Sequence, residues 1–310
     1  MSEKHQTWGW MLAVDFFFAG MGGAMLVIAA VIDLFIEPYQ VSLLGNILGP
    51  LCMCVGCGFL ILELGRPMQA WRVFMNPKAI LTFGAWTMTV AIISGLAYAF
   101  YTSFAVDFGL TAGGERDLLR QLLALVNIVT GLVVATYPGV LLGRHKGRPF
   151  WVGPGIMALF LLSSMVTGLA LHCLCAIIVP IEGSVLSSLP KLVSAMLLAQ
   201  GLLWVGYLWI KATGTTAAQS ASAQRWINGD LAKGFKIHFM VVGTLVPMIL
   251  MLFPLAFFQA IAALLVLFGG VMMRMQTVTS GQDRTFLPGE LKYRSRLPQG
   301  KEKFLKKAWM

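Results

Sequence analysis

The sequence predicts an all-α integral membrane protein with about eight transmembrane helices. Of its 310 residues, 58% are hydrophobic and only 12% are charged, and the mean hydropathy is +0.79. A water-soluble domain of this length needs far more charged surface, so lipid must be the solvent for most of the chain. The net charge of +10 comes from short basic clusters between apolar runs, which indicates membrane loops rather than a nucleic-acid partner.

Apolar runs long enough to cross a bilayer recur along the chain. A helix rises about 1.5 Å per residue, so a hydrocarbon core of about 30 Å requires about 20 residues. The predicted spans are residues 10–34, 43–65, 79–102, 119–142, 151–178, 189–210, 236–253 and 257–274. Pro254 divides the last two by a turn, and the small polar residues 212–224 predict a flexible loop.

The positions of lysine and arginine predict that both termini are cytoplasmic. With eight spans, 20 of the 23 basic residues fall on the side of the termini, nine of them from Arg274 to the C-terminal tail. Only Arg116, Arg120 and Lys191 fall on the other side. An excess of basic residues marks the cytoplasmic face of membrane proteins.

The cysteines and histidines predict neither a metal site nor a haem in this protein. The five cysteines lie inside apolar runs, which favours packing over metal binding. His172 lies towards the outer end of the fifth span and His238 at the cytoplasmic start of the seventh, whereas two axial haem ligands need matching depth.

Polar and amphipathic side chains from four spans fall in the cytoplasmic leaflet. They are Asp15 in the first span, Glu63 and Arg66 at the end of the second, Trp86 in the third and Tyr137 in the fourth. Ionisable groups inside a span cost about 2.5–3.5 kcal/mol on insertion scales, so a function is the first hypothesis for each.

Structural alternatives remain open for most of these residues. Glu63 and Arg66 are three residues apart and could pair with each other at the interface. Trp86 and Tyr137 could be interfacial belt aromatics. Asp15 has no local partner in the sequence, which favours a partner across the bundle or a role in proton handling.

Two further groups of residues each have two interpretations. His172, with Asn127 and Gln200 as possible neighbours, is either a satisfied group at a helix interface or part of a proton path. Gly20 and Gly23 either allow close helix packing or leave bare backbone against which a flat ring can lie.

Five motifs in order resemble the NrfD and polysulfide reductase membrane-anchor (PsrC-like) family. They are WGWMLAVDFFFAGMGGAM in the first span, LELGRP at residues 62–67, YPGVLLG at 137–143, TGLALH at 167–172 and GGVMMRMQTVTSGQ at 269–282. The resemblance implies two four-helix bundles, here residues 1–150 and 151–276; the charge pattern predicts that the basic tail at 277–310 is cytoplasmic. It also implies the bacterial cytoplasmic (inner) membrane.

The resemblance further implies a haem-free quinone site in the first bundle, for menaquinone or ubiquinone. Electrons would pass between the quinone and a ferredoxin-like iron–sulfur subunit, which joins a molybdopterin-type catalytic subunit. Glu63 and Arg66 match the family's acid-Leu-Gly-Arg-Pro signature, Tyr137 matches its quinone-binding tyrosine, and Asp15 is the nearest match to a polar residue in the first span. Trp86, Gly20 and Gly23 would complete the slot for the ring.

The side on which partners dock, and the function itself, each have a competing interpretation. Family members typically place the quinone half on the periplasmic side, whereas the charge pattern here predicts docking from the cytoplasm, near loops 2–3 and 4–5 and the tail. A solute or ion transporter would need helix breaks in paired spans, and Pro247 is the one plausible break in the sequence. A purely structural anchor is the third possibility.

Overall fold

The computed structural model describes residues 9–36, 43–63, 67–76, 78–102, 118–145, 148–153, 155–179, 184–214 and 216–281, and every regular element in these ranges is helical. The first half contains α1 (Trp10–Phe35), α2 (Leu43–Glu63), a 3-10 helix (Pro67–Met75, hereafter the roof helix), α3 (Ile80–Phe100) and α4 (Leu118–Gly143). The second half contains α5 (Gly155–Ile178), α6 (Ser184–Ala212), α7 (Ala217–Ile227), α8 (Gly234–Leu250) and α9 (Ala256–Ser280).

The described helices confirm the all-α integral membrane class. Seven are long and apolar enough to cross a bilayer, and α8 is a shorter apolar helix that is π-helical as far as Leu245. The eight predicted spans therefore all correspond to helices. A non-helical stretch around Pro254 separates α8 from α9, as the sequence predicted. Most of the predicted basic tail, residues 282–310, lies outside the described residues.

The prediction of a loop across residues 212–224 is wrong in its second part, where α7 forms. Ala218, Ala223 and Trp226 of this helix are buried. The Trp226 ring stacks on Phe150 with centroids 4.8 Å apart, so an aromatic contact with a distant segment stabilises a helix that small polar residues alone do not indicate.

Helix α1 is central: it packs against α2 and α4 in the first half and against α5 and α9 in the second. Its glycines allow this. A Cβ on Gly23 would lie 2.8 Å from the Gly131 carbonyl oxygen of α4, and a Cβ on Gly22 would lie 2.5 Å from the Gly49 carbonyl oxygen of α2. Small residues let transmembrane helices approach this closely. The division into two bundles near residue 150 remains a prediction, since α1 touches helices of both.

A buried ion pair joins α1 to α4. Arg120 Nη1 donates to Asp33 Oδ1 at 2.7 Å, and both side chains are almost fully buried. The charge count assigned Arg120 to the non-cytoplasmic side, and the structure places it in the first turn of α4, buried in the bundle. Asp33 lies 18 residues after Asp15 on α1, so the pair is about 27 Å from Asp15 along the helix.

Arg274 is also buried, although the charge count placed it at the start of the tail. Its side chain is 0% exposed because α9 continues to Ser280. Nε donates to the Phe16 carbonyl at 3.0 Å and Nη1 to the Gly270 carbonyl at 3.0 Å. Nη1 and Nη2 also donate to the Ser163 and Ser164 hydroxyls at 3.1 and 3.0 Å. Arg274 thus fastens α9 to α1 and α5.

Lys211 also acts inside the fold. Its Nζ donates to the carbonyls of Pro149 at 3.0 Å and Val152 at 2.6 Å. These bonds hold the segment between α4 and α5 against the end of α6. Part of the basic charge on this side of the protein is therefore structural rather than available to a partner.

Candidate functional site

A cavity of about 330 Å³ lies between α1, α2, α3 and α4, beneath the roof helix. The size is within the range of small-molecule sites. Its walls are largely apolar, with Leu60, Met88 and Val134 from three of the helices and Trp71 and Phe74 from the roof helix. Such walls favour a ligand that is mostly apolar.

Asp15 and Tyr137 supply polar groups to this apolar cavity. Asp15 is 5% exposed, and among the described residues its Oδ1 has no hydrogen-bond partner. The Tyr137 hydroxyl is likewise buried and has no partner in the described part of the chain. Buried polar atoms are normally paired, so two unpaired polar atoms on residues that line one cavity make it a candidate site for a ligand with polar groups.

Two glycines make room for these side chains. A Cβ on Gly84 of α3 would lie 2.5 Å from the Tyr137 ring, so the ring rests directly on the α3 backbone. A Cβ on Gly56 of α2 would lie 3.1 Å from Asp15 Oδ1. Neither glycine was predicted from the sequence, although a glycine in a helix that faces a candidate side chain was a usable signal.

The hydroxyl groups of the threonines in the cavity wall already donate hydrogen bonds within their own helix. The Thr87 hydroxyl donates to the Phe83 carbonyl and the Thr89 hydroxyl to the Ala85 carbonyl, both at 2.8 Å within α3. Cys57 adds a thiol to the wall. Among the described residues of the wall, Asp15 and Tyr137 are the ones that carry a buried polar atom without a hydrogen-bond partner.

The structure places Glu63 and Trp86 beside the cavity rather than in its wall. Glu63 Oε1 accepts a hydrogen bond of 2.6 Å from the Gly9 N–H, where a carboxylate complements the positive end of the α1 dipole. Trp86 is 55% exposed, and its ring contacts Phe74, which does line the cavity, at a centroid distance of 5.4 Å. Arg66 lies outside the described residues.

The two glycines of the predicted ring slot belong to separate helix contacts. Gly20 faces Ser164, since a Cβ there would lie 2.5 Å from its hydroxyl, and Gly23 faces α4. Neither glycine lines the cavity. Their positions correspond to the packing interpretation.

The three residues of the predicted proton path have different surroundings. Asn127 Oδ1 accepts from the Ser94 hydroxyl at 2.7 Å, and His172 Nε2 lies 3.0 Å from the Met25 carbonyl. Gln200 Oε1 is buried without a partner among the described residues. No hydrogen bond in the described part of the chain joins two of the three.

Comparison with known proteins connects this architecture to a family. Residues 1–285 match the family described as polysulphide reductase, NrfD. The protein is also similar to the C subunit of polysulfide reductase from Wolinella succinogenes. The two are 24% identical over 306 residues, which cover 90% of this protein and 96% of the relative.

Proposed function

This chain belongs to the polysulphide reductase NrfD family, and we propose that it is the quinone-reactive membrane-anchor subunit of a respiratory oxidoreductase complex. In this role it exchanges electrons between the quinone pool, menaquinone or ubiquinone, and an iron–sulfur partner. The observation that carries the proposal is the apolar cavity with two orphaned polar atoms, on Asp15 and Tyr137, inside the transmembrane helices.

The residues of the cavity fit a quinone ring. A quinone bound there would accept two electrons and two protons, and a quinol would release them. Tyr137 would donate a hydrogen bond to one carbonyl, and Asp15 would exchange a proton at the ring. Glu63 is the last residue of α2 and accepts a hydrogen bond from the N–H of Gly9 just before α1. As the acidic member of the sequence motif, it stays a candidate for supplying protons to the quinone. Arg66 stays a candidate from the sequence motif.

We place the partners on the cytoplasmic side of the bacterial inner membrane. A ferredoxin-like subunit would dock there, joined to a molybdopterin-type catalytic subunit. Among the described residues, the exposed basic residues assigned to this face are Arg72, Lys78, Arg144, Lys233 and Lys236. Fused after residue 310, a reporter that works only in the cytoplasm is expected to be active, and a reporter that works only in the periplasm is expected to be inactive. Activity of the periplasmic reporter would contradict this orientation.

The first test removes the acidic group of Asp15 and the hydroxyl of Tyr137 with little change in the shape of the cavity. We expect Asp15→Asn and Tyr137→Phe each to weaken binding of a quinol analogue by about tenfold, the value of one buried hydrogen bond. Both variants should assemble normally. Binding is measured by titration of the purified complex, and quinone-linked turnover is followed in parallel.

Thr87→Val is the matched control, because it deletes a cavity hydroxyl that is already bonded to its own helix. It should bind the analogue like the unmodified protein. Normal binding and turnover in both Asp15→Asn and Tyr137→Phe would favour the purely structural anchor. Solute uptake by the reconstituted protein alone would favour the transporter.

A second test moves Tyr137 instead of removing it. In Gly84→Ala, the new Cβ would lie 2.5 Å from the Tyr137 ring and must displace it. We expect analogue affinity to fall by about tenfold or more. Gly58→Ala is the control, since a Cβ there meets nothing within 4 Å. Equal affinities in the two variants would show that the position of the tyrosine ring does not matter.

A further inference from the structure

The roof helix closes the cavity but is held loosely. Val73 and Phe74 line the cavity, yet no residue of the roof helix is buried. Two described contacts fasten it to α3. The buried Thr82 hydroxyl donates to the Val73 carbonyl at 2.6 Å, and the Trp86 ring meets the Phe74 ring edge to face at 5.4 Å.

Trp86 belongs to the surface of α3 that faces lipid. Phe83, Trp86, Val90 and Ile93 are all exposed and recur at the spacing of one helix face. Because α3 is long and apolar enough to span a membrane, we expect this exposed stripe to face acyl chains. Leu81, Met88 and Ile92 lie on the face that lines the cavity.

The Phe74–Trp86 contact therefore lies at the boundary between lipid and cavity. One ring of the pair lines the cavity, and the other is exposed on the lipid-facing stripe. Thr82 is one helical turn before Trp86 on α3, so the hydrogen bond to Val73 can hold the roof helix while the aromatic contact parts. An edge-to-face pair contributes about 0.5–1.5 kcal/mol beyond its buried area, which thermal motion overcomes readily.

We propose that a lipid-soluble quinone enters the cavity sideways from the membrane, between the roof helix and α3, and that the Phe74–Trp86 contact is the gate. This inference rests on the proposed function. In this proposal, Trp86 controls how fast the ligand enters and leaves the cavity and does not bind the quinone ring. The same side chain that the sequence suggested as a cofactor contact or a belt aromatic would thus control access.

The test measures exchange rates with a fluorescent alkyl-hydroxyquinoline N-oxide as the quinol analogue. The full complex is reconstituted in phospholipid nanodiscs, and association and dissociation are followed by stopped-flow fluorescence. Without the aromatic contact, Trp86→Ala should exchange the probe about threefold to tenfold faster in both directions, with its Kd nearly unchanged. Trp86→Phe keeps a ring and should restore slow exchange.

Phe83→Ala is the control, because Phe83 lies on the same lipid-facing stripe one turn earlier. Its rates should match those of the unmodified protein. Unchanged rates in Trp86→Ala, equal acceleration in Phe83→Ala, or a change in dissociation alone would each overturn the gate. A probe that does not bind, or that binds regardless of Asp15→Asn and Tyr137→Phe, would instead refute the quinone site itself.

Discussion

Replacing Ser163 and Ser164 together by alanine is expected to lower the free energy of unfolding by about 3–6 kcal/mol, from two lost hydrogen bonds to a charged group. Both hydroxyls accept bonds from Arg274, which is 0% exposed. The variant leaves donors of a buried guanidinium without acceptors in a bundle that excludes water. Thermal unfolding in detergent, followed by tryptophan fluorescence, measures the loss.

If the buried charge of Arg274 causes the loss of stability, removing that charge should restore the stability of the double alanine variant. Adding Arg274→Met to the double alanine variant should recover most of the lost stability, because no unsatisfied charge then remains. Ser194→Ala is the control: its hydroxyl donates to the neutral Met248 carbonyl, and its loss should cost about 1 kcal/mol. The explanation would be contradicted if the double alanine variant were as stable as the unmodified protein. It would also be contradicted if the triple variant were no more stable than the double variant, because the stability would then not depend on hydrogen bonds from Arg274 to the two serine hydroxyls.

Gly131→Ala is expected to have a comparable effect on folding, with a loss of at least about 3 kcal/mol, at the upper end of overpacking costs. The added Cβ would lie 2.5 Å from the Gly23 carbonyl oxygen and 2.8 Å from the Val27 side chain. The first neighbour is backbone and cannot rotate away, so α1 and α4 must separate. Detergent-resistant yield and thermal unfolding report this separation.

Gly206→Ala makes the same chemical change in α6, where a Cβ meets nothing within 4 Å. It should stabilise the protein by about 0.5–1 kcal/mol, the usual gain for alanine over glycine inside a helix. Comparable stability of Gly131→Ala and Gly206→Ala would mean that the close approach of α1 to α4 is not required.

Hydropathy and residue chemistry predicted much of this protein from its sequence. The apolar runs located every membrane helix among the described residues, because span length follows from bilayer thickness alone. Asp15 and Tyr137 were identified because a carboxyl and a phenol in lipid need a reason to be there. The structure brings both to one cavity.

The remaining features depend on which helices meet, and hydropathy does not contain that information. The sequence indicated the depth of Trp86 in the membrane but not the side of α3 on which it lies, which is the exposed side. Arg274 looked like the first residue of a basic tail, because its partners on α5 are more than 100 positions earlier in the chain. Contacts between residues so far apart in the chain produce no pattern in the sequence around either residue.

The buried pair of Asp33 and Arg120 has a consequence for biogenesis. The two residues are 87 positions apart, so α1 leaves the ribosome long before its partner is synthesised. An unpaired charge in a membrane segment is costly, and each one is neutralised by the other only when both helices are side by side. We therefore expect the first helix to remain close to the insertion machinery until the fourth is made, and a chain truncated before residue 118 to be degraded rather than retained.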